Sequence, residues 1–133
     1  EAAPGKTPPG AIASLYPSCQ IPPFGHFKGN EYLRQDLSTP TLVLMGGQDT
    51  ESPAEVCLSR LQKLKERSAP AEWHVYKDAT HCWDCSDQHN QRWSPPWAEG
   101  RAVVYLYDSA VTAQSADHVF DFFGRRLPAS VKN

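Results

Sequence analysis

Apolar residues along this chain fall into short blocks separated by polar, proline-rich stretches, and the period changes from block to block. Ala11 to Tyr16 is a brief apolar run closed by Pro17, the pattern of a buried strand. Thr41 to Met45 is continuously apolar rather than alternating, as expected of a strand covered on both faces of a parallel sheet. Ala54, Leu58, Leu61 and Leu64 then recur at helical spacing. Ser52-Pro53-Ala54-Glu55 supplies a start signal, with Ser52 as cap, Pro53 at the first position and Glu55 closing a capping box. Lys63, Lys65 and Arg67 stand where the helix dipole favours cations, so a helix is predicted over 53–67. Ala71 to Lys77 follows as a strand, with Trp73 and Val75 on one face and His74 and Tyr76 on the other.

The intervening segments are aperiodic. Residues 1–10 read as a linker or arm, and Pro22, Pro23, Gly25 and Gly29 mark a long loop from Pro17 to Pro40, with one helical turn predicted near Tyr32 to Leu37. A loop of this length inside a domain usually packs beside a functional site. Residues 82–101 form a polar, irregular excursion carrying three of the four tryptophans, and Ala102 to Tyr107 predicts another short strand. A closing helix begins at a cap on Asp108 or Ser109, places Ala116, Phe120, Phe123 and Leu127 on one apolar stripe, and ends at Pro128. Strand, loop, strand, helix, strand is the order of a parallel α/β sheet with right-handed crossovers.

Composition narrows the picture. The 133 residues suffice for one domain, and 40% apolar with 21% charged residues is a globular balance. Thirteen basic against fifteen acidic residues, without long runs of either sign, argue against a nucleic-acid partner. The apolar runs are too short for a membrane span. The chain starts at Glu1 rather than Met, the start expected of a processed, recombinant or fragmentary chain.

In a parallel sheet, functional groups gather at the carboxyl ends of strands. Asp49 lies four residues past the strand ending at Met45, and His81 four residues past the strand ending at Lys77. If those strands are neighbours, the two side chains share one sheet edge, and a carboxylate-held imidazole is the orienting half of a nucleophilic triad. Otherwise Asp49 is a helix-cap acid and His81 a surface loop residue. Cys82 and Cys85, beside His81 and followed by His89, fit a zinc site, a redox pair, a disulfide or reduced thiols, and four cysteines allow three complete pairings. Disulfides would point to an exported protein. Trp83, Trp93 and Trp97 either line an apolar substrate pocket or bury the excursion. His74 and His118 read as structural; His26 carries no signal.

The wording around the two candidates adds to this. TPTLVLMGGQDTESP resembles the strand and acid loop of the α/β-hydrolase fold, in its dienelactone hydrolase-like branch, where the phrase P-x-L-x-x-x-G-x-x-D carries the triad acid. VYKDATHCWD resembles the branch's Y-x-x-A-x-H-x-F/W-D segment, which carries the triad histidine, AIASLYPSC its YPG or YPSC strand end, and YDSAVTAQSADHVFDFF its closing helix. The resemblance spans most of residues 11–127 in the family's order, and it implies Asp49 as acid, His81 as general base, an ester or lactone substrate and no cofactor. It also implies a nucleophile on a G-x-S-x-G or G-x-C-x-G elbow ahead of the acid. None of the eleven serines or four cysteines occupies such an elbow, and an oxyanion loop is equally missing. The expected architecture is therefore the C-terminal portion of an α/β-hydrolase, residues 11–133, with about three parallel strands and flanking helices. Its expected partner is the missing N-terminal half or another copy of the chain. The alternative is a non-catalytic binding module on a truncated hydrolase scaffold.

Overall fold

A computed structural model describes residues 7–23, 25–95 and 100–127. Three parallel strands form its centre: β1 (Ile12–Leu15), β4 (Thr41–Gly46) and β5 (Ala71–Tyr76), in the spatial order β1-β4-β5. β4 is the middle strand, and all six of its residues are buried. That is why its sequence is continuously apolar. Val43 and Met45 face one side, packing with Ala54, Cys57, Leu61 and Leu64 of helix α1 (Ala54–Glu66). Leu42 and Leu44 face the other, packing with Tyr76, Ala79, Trp83 and Phe122, the last from helix α2 (Ser109–Arg126). One helix on each face covers the middle strand completely.

Several local readings need correction. The capping box on α1 does not form: Pro53 is the flanking residue and carries no side-chain cap, while the Ser52 hydroxyl is paired with that of Ser18 at 2.9 Å. The Ser52 N–H instead donates to the Asp49 carboxylate, so the helix entry is organised by that side chain. On α2, Asp108 caps as expected, accepting from the N–H groups of Ala110 and Val111. The buried face of that helix, however, carries Ser115 and Phe122 with Val111, Val119 and Phe123 beside them, and Phe120 is 75% exposed. Of the predicted stripe, Phe123 keeps its core contact while Phe120 and Leu127 are exposed, so the buried face is turned toward Ser115 and Phe122, where Trp83 meets the helix.

The long loop holds a two-residue ladder, β2 (Gln20–Ile21) with β3 (Asn30–Glu31), and residues 35–36 form a simple turn where a helical turn is predicted. Arg60 of α1 reaches under this loop, donating to the Leu33 carbonyl and the Gln20 amide oxygen and pairing with Glu31. A disulfide, Cys19–Cys57, ties the same loop to α1. The excursion is more ordered than its composition predicts: Cys82–Cys85 closes a second disulfide, and β6 (Arg92–Trp93) pairs antiparallel with β7 (Val103–Val104). Only the middle of the predicted strand 102–107 is therefore paired as a strand. Residues 1–6 of the expected arm, Trp97 and Pro128 lie outside the described residues, and residues 7–10 are exposed and carry no regular element.

α2 is held to β5 by charge and by histidine stacking. Glu72 accepts from Arg125 and Arg126, and these guanidinium groups hold its carboxyl down at about 2. His74 stacks on His118 at 3.8 Å between ring centroids, and the Tyr76 hydroxyl is paired with His118 Nδ1 at 2.7 Å. Partial desolvation of its ring against α2, and then the neighbouring His118, lower the proton affinity of His74, with Glu72 opposing. The unfolded chain binds the His74 proton more readily, so this contribution to stability is fully present above about pH 6.5 and declines as pH falls below it. Urea midpoints measured between pH 7.5 and 5 should show this decline. His74→Phe, which keeps the stack, should flatten it; an unchanged slope would contradict the assignment.

Candidate active site

The turns after β4 and β5 lie against each other at one edge of the sheet. Gly47 N–H donates to the Tyr76 carbonyl and Gln48 N–H to the Ala79 carbonyl, at 2.8 and 2.9 Å. A side chain at Gly46 would bring its first carbon within 2.5 Å of the Ala79 carbonyl, and one at Gly47 would strike the Lys77 carbonyl. The Gly-Gly pair is required by this close backbone approach, not by turn conformation.

The contact brings together both residues singled out from sequence. Asp49 Oδ2 stands 2.9 Å from His81 Nδ1, and Asp49 Oδ1 accepts the backbone N–H groups of Glu51 and Ser52, each at 2.8 Å. The Asp49 side chain is fully buried and that of His81 is 14% exposed. Every polar atom of the carboxylate is thus engaged, and its fixed orientation places the imidazole with Nδ1 toward the acid and Nε2 outward. An imidazole held in this way can accept a proton at Nε2 and keep the resulting charge stabilised from the Nδ1 side.

Two tyrosines bracket the ring. Tyr16, at the end of β1, lies 4.4 Å from it between centroids, and Tyr105 stacks at 5.5 Å while its backbone bridges to His81. The Tyr16 hydroxyl donates to Asp84, and burial together with that carboxylate pushes its pKa to about 12. Tyr105 donates to Glu51 Oε2 at 2.6 Å; burial, aided by Glu51, raises it to about 12 as well. Both phenols therefore stay protonated donors. Tyr16 and Cys82, the latter following His81 in sequence, also adopt left-handed backbone angles, φ +40° and +57°.

Trp83 is core rather than pocket lining. It is fully buried, packs edge-on against Tyr16 and Tyr76, and donates its indole N–H to Ser115 of α2 at 3.2 Å. Its carbonyl accepts the Asp108 N–H and the Thr112 hydroxyl, so the residue two places after His81 anchors the start of α2. Trp93 is 39% exposed on β6. Cys82, Asp84 and Cys85 offer three ligand atoms within 4.8 Å of one another, but the two sulfurs are bonded together and are not thiolate donors. The zinc reading does not fit this oxidised form. His89 Nδ1 accepts the Tyr107 N–H instead. A groove of about 680 Å³ between the β2–β3 loop and Arg67 is lined by neither Asp49 nor His81.

Sequence reasoning did not single out Tyr16, Glu51 or Tyr105. Tyr16 was within reach of the strand-end rule that selected Asp49 and His81. Glu51 and Tyr105 carry no comparable signal, because their meeting depends on how the excursion folds back.

A parallel sheet sandwiched between helices, with a buried acid and a histidine on consecutive strand ends, is part of an α/β-hydrolase fold. The sequence profile of the dienelactone hydrolase family matches residues 6–127, and the chain belongs to that family. A Salmonella typhimurium protein described as "Putative carboxymethylenebutenolidase" is 45% identical over 49 residues, which are 37% of this chain and 18% of that protein. The crystal structure of a protein from Klebsiella pneumoniae described as "Putative Dienelactone Hydrolase" superposes with a TM-score of 0.60 at 20% identity, covering 86% of this chain and 42% of that one. The chain spans less than half the length of these two relatives. Among the described residues, no helix is long and apolar enough to cross a membrane.

Proposed function

We propose that this chain supplies the acid and base of a nucleophile-His-Asp triad in a hydrolase of carboxylic esters or lactones. Asp49 is the acid, His81 the base, and the Ser or Cys nucleophile lies outside the chain. The observation that carries this reading is the buried Asp49 carboxylate, pinned at one oxygen by two backbone N–H groups and paired through the other with His81 Nδ1. In the reaction, His81 Nε2 takes the nucleophile's proton as the substrate carbonyl is attacked and returns it to the leaving alkoxide. Water then repeats the sequence to release the acid. Asp49 keeps the imidazole in the productive tautomer and stabilises its charged form. No metal or organic cofactor is needed for these steps. The family's name, and that of the Salmonella protein, favour a lactone as the substrate.

The partner proposed is the missing N-terminal half, or a second copy of this chain. β1 pairs with β4 on one side only among the described residues, and Ile12 on it is 38% exposed. An unpaired parallel edge leaves backbone groups for another strand. The test is to join the chain to its upstream sequence and assay a chromogenic short-chain ester and a lactone. Hydrolysis of either by the joined protein, with none by this chain alone, is expected. A joined protein inactive on both would overturn the reading.

A further inference from the structure

The pairing with Asp49 leaves one neighbour of His81 unexplained. Glu51 Oε2 stands 3.8 Å from His81 Nε2, and the same oxygen accepts the Tyr105 hydroxyl. Because the Glu51 N–H donates to Asp49 Oδ1, both carboxylates belong to one turn and flank one imidazole.

We propose that Glu51 is a positioning residue for His81: its carboxylate, latched by Tyr105, favours the imidazolium formed when Nε2 takes the nucleophile's proton. This rests on the reading of Asp49 and His81 as acid and base. At 3.8 Å the Glu51 oxygen is beyond hydrogen-bond range, so it acts through its charge and leaves the Nε2 proton available to the leaving group. That charge is effective because both side chains are largely shielded, Glu51 at 21% and His81 at 14% exposure. An unlatched glutamate would swing toward water. Tyr105, stacked on the imidazole and bridged to it through the backbone, prevents this. The ionisable groups around the ring are then Asp49 at Nδ1, Glu51 and Tyr105 on the Nε2 side, and Tyr16 across the ring face, its hydroxyl turned to Asp84.

Glu51→Gln removes the charge and keeps the shape. In the chain as it stands, diethyl pyrocarbonate reports on the neutral imidazole, which attacks the reagent and releases carbon dioxide and ethanol. Peptide-level mass spectrometry should show His81 modified about three-fold or more faster in Glu51→Gln than in the parent, with Tyr105→Phe between the two. His26, His74, His89 and His118 serve as internal controls and should be unchanged. Equal rates at His81 would overturn the proposal. In the joined protein, kcat should fall on the order of ten-fold in Glu51→Gln with KM unchanged, and Glu51→Asp should recover part of it. An unchanged kcat would also overturn it. An inactive parent would instead overturn the hydrolase reading, and the labelling rates would then decide the placement of Glu51 alone.

Discussion

Replacing His81 with alanine in the chain joined to its upstream segment is expected to lower kcat for ester hydrolysis on the order of 10⁴-fold or more, with little change in KM. The loss is large because a neutral Ser or Cys side chain is a weak nucleophile without a base in hydrogen-bond reach. Asp49→Asn should cost a similar factor by a different route. The asparagine oxygen can still accept the Glu51 and Ser52 N–H groups, so the turn survives. Its amide, however, would donate toward His81 Nδ1 and favour the tautomer with the proton on Nε2, which cannot act as a base. Retained folding by circular dichroism together with lost turnover in both variants is the expected pattern. Full activity in His81→Ala would end the assignment.

The second large effect concerns stability. Trp83→Ala should destabilise the chain by about 3–5 kcal/mol, read from urea or guanidinium unfolding. The residue is fully buried between Tyr16, Tyr76 and α2, and its loss also strips the Ser115 hydroxyl of its indole donor. Trp83→Phe retains much of the packing and should cost less, which keeps the measurement usable if the alanine variant does not fold. A change below about 1 kcal/mol in Trp83→Ala, accompanied by a raised KM in the joined protein, would instead mark this residue as part of a substrate pocket.

How much was legible from sequence differs between strands, helices and loops. The middle strand was legible because burial on both faces leaves no polar position in Thr41 to Met45. Asp49 and His81 were legible because strand ends collect chemistry and because their surrounding phrases resemble one family's. The orientation of α2 was not. Several rotations of an amphipathic helix satisfy its composition, and the one adopted depends on Trp83 reaching Ser115 and the helix start. The capping of α1 is decided in the same way: Asp49, rather than Glu55, accepts the Ser52 N–H. Nor could the cysteine pairing be chosen, since spacing permits three arrangements and only the approach of the long loop to α1 selects Cys19–Cys57.

The amino-acid order by itself determined the order of the three parallel strands and the two long helices, the family resemblance and the two residues at its strand ends. These follow from local periodicity and from short contiguous phrases, which survive without knowledge of long-range contacts. Tertiary structure alone decided that Gly46 and Gly47 let the two turns touch, that Glu51 and Tyr105 meet at the outer nitrogen of His81, and that Trp83 belongs to the core. Each of these depends on residues dozens of positions apart, whose proximity is fixed by packing rather than by pattern.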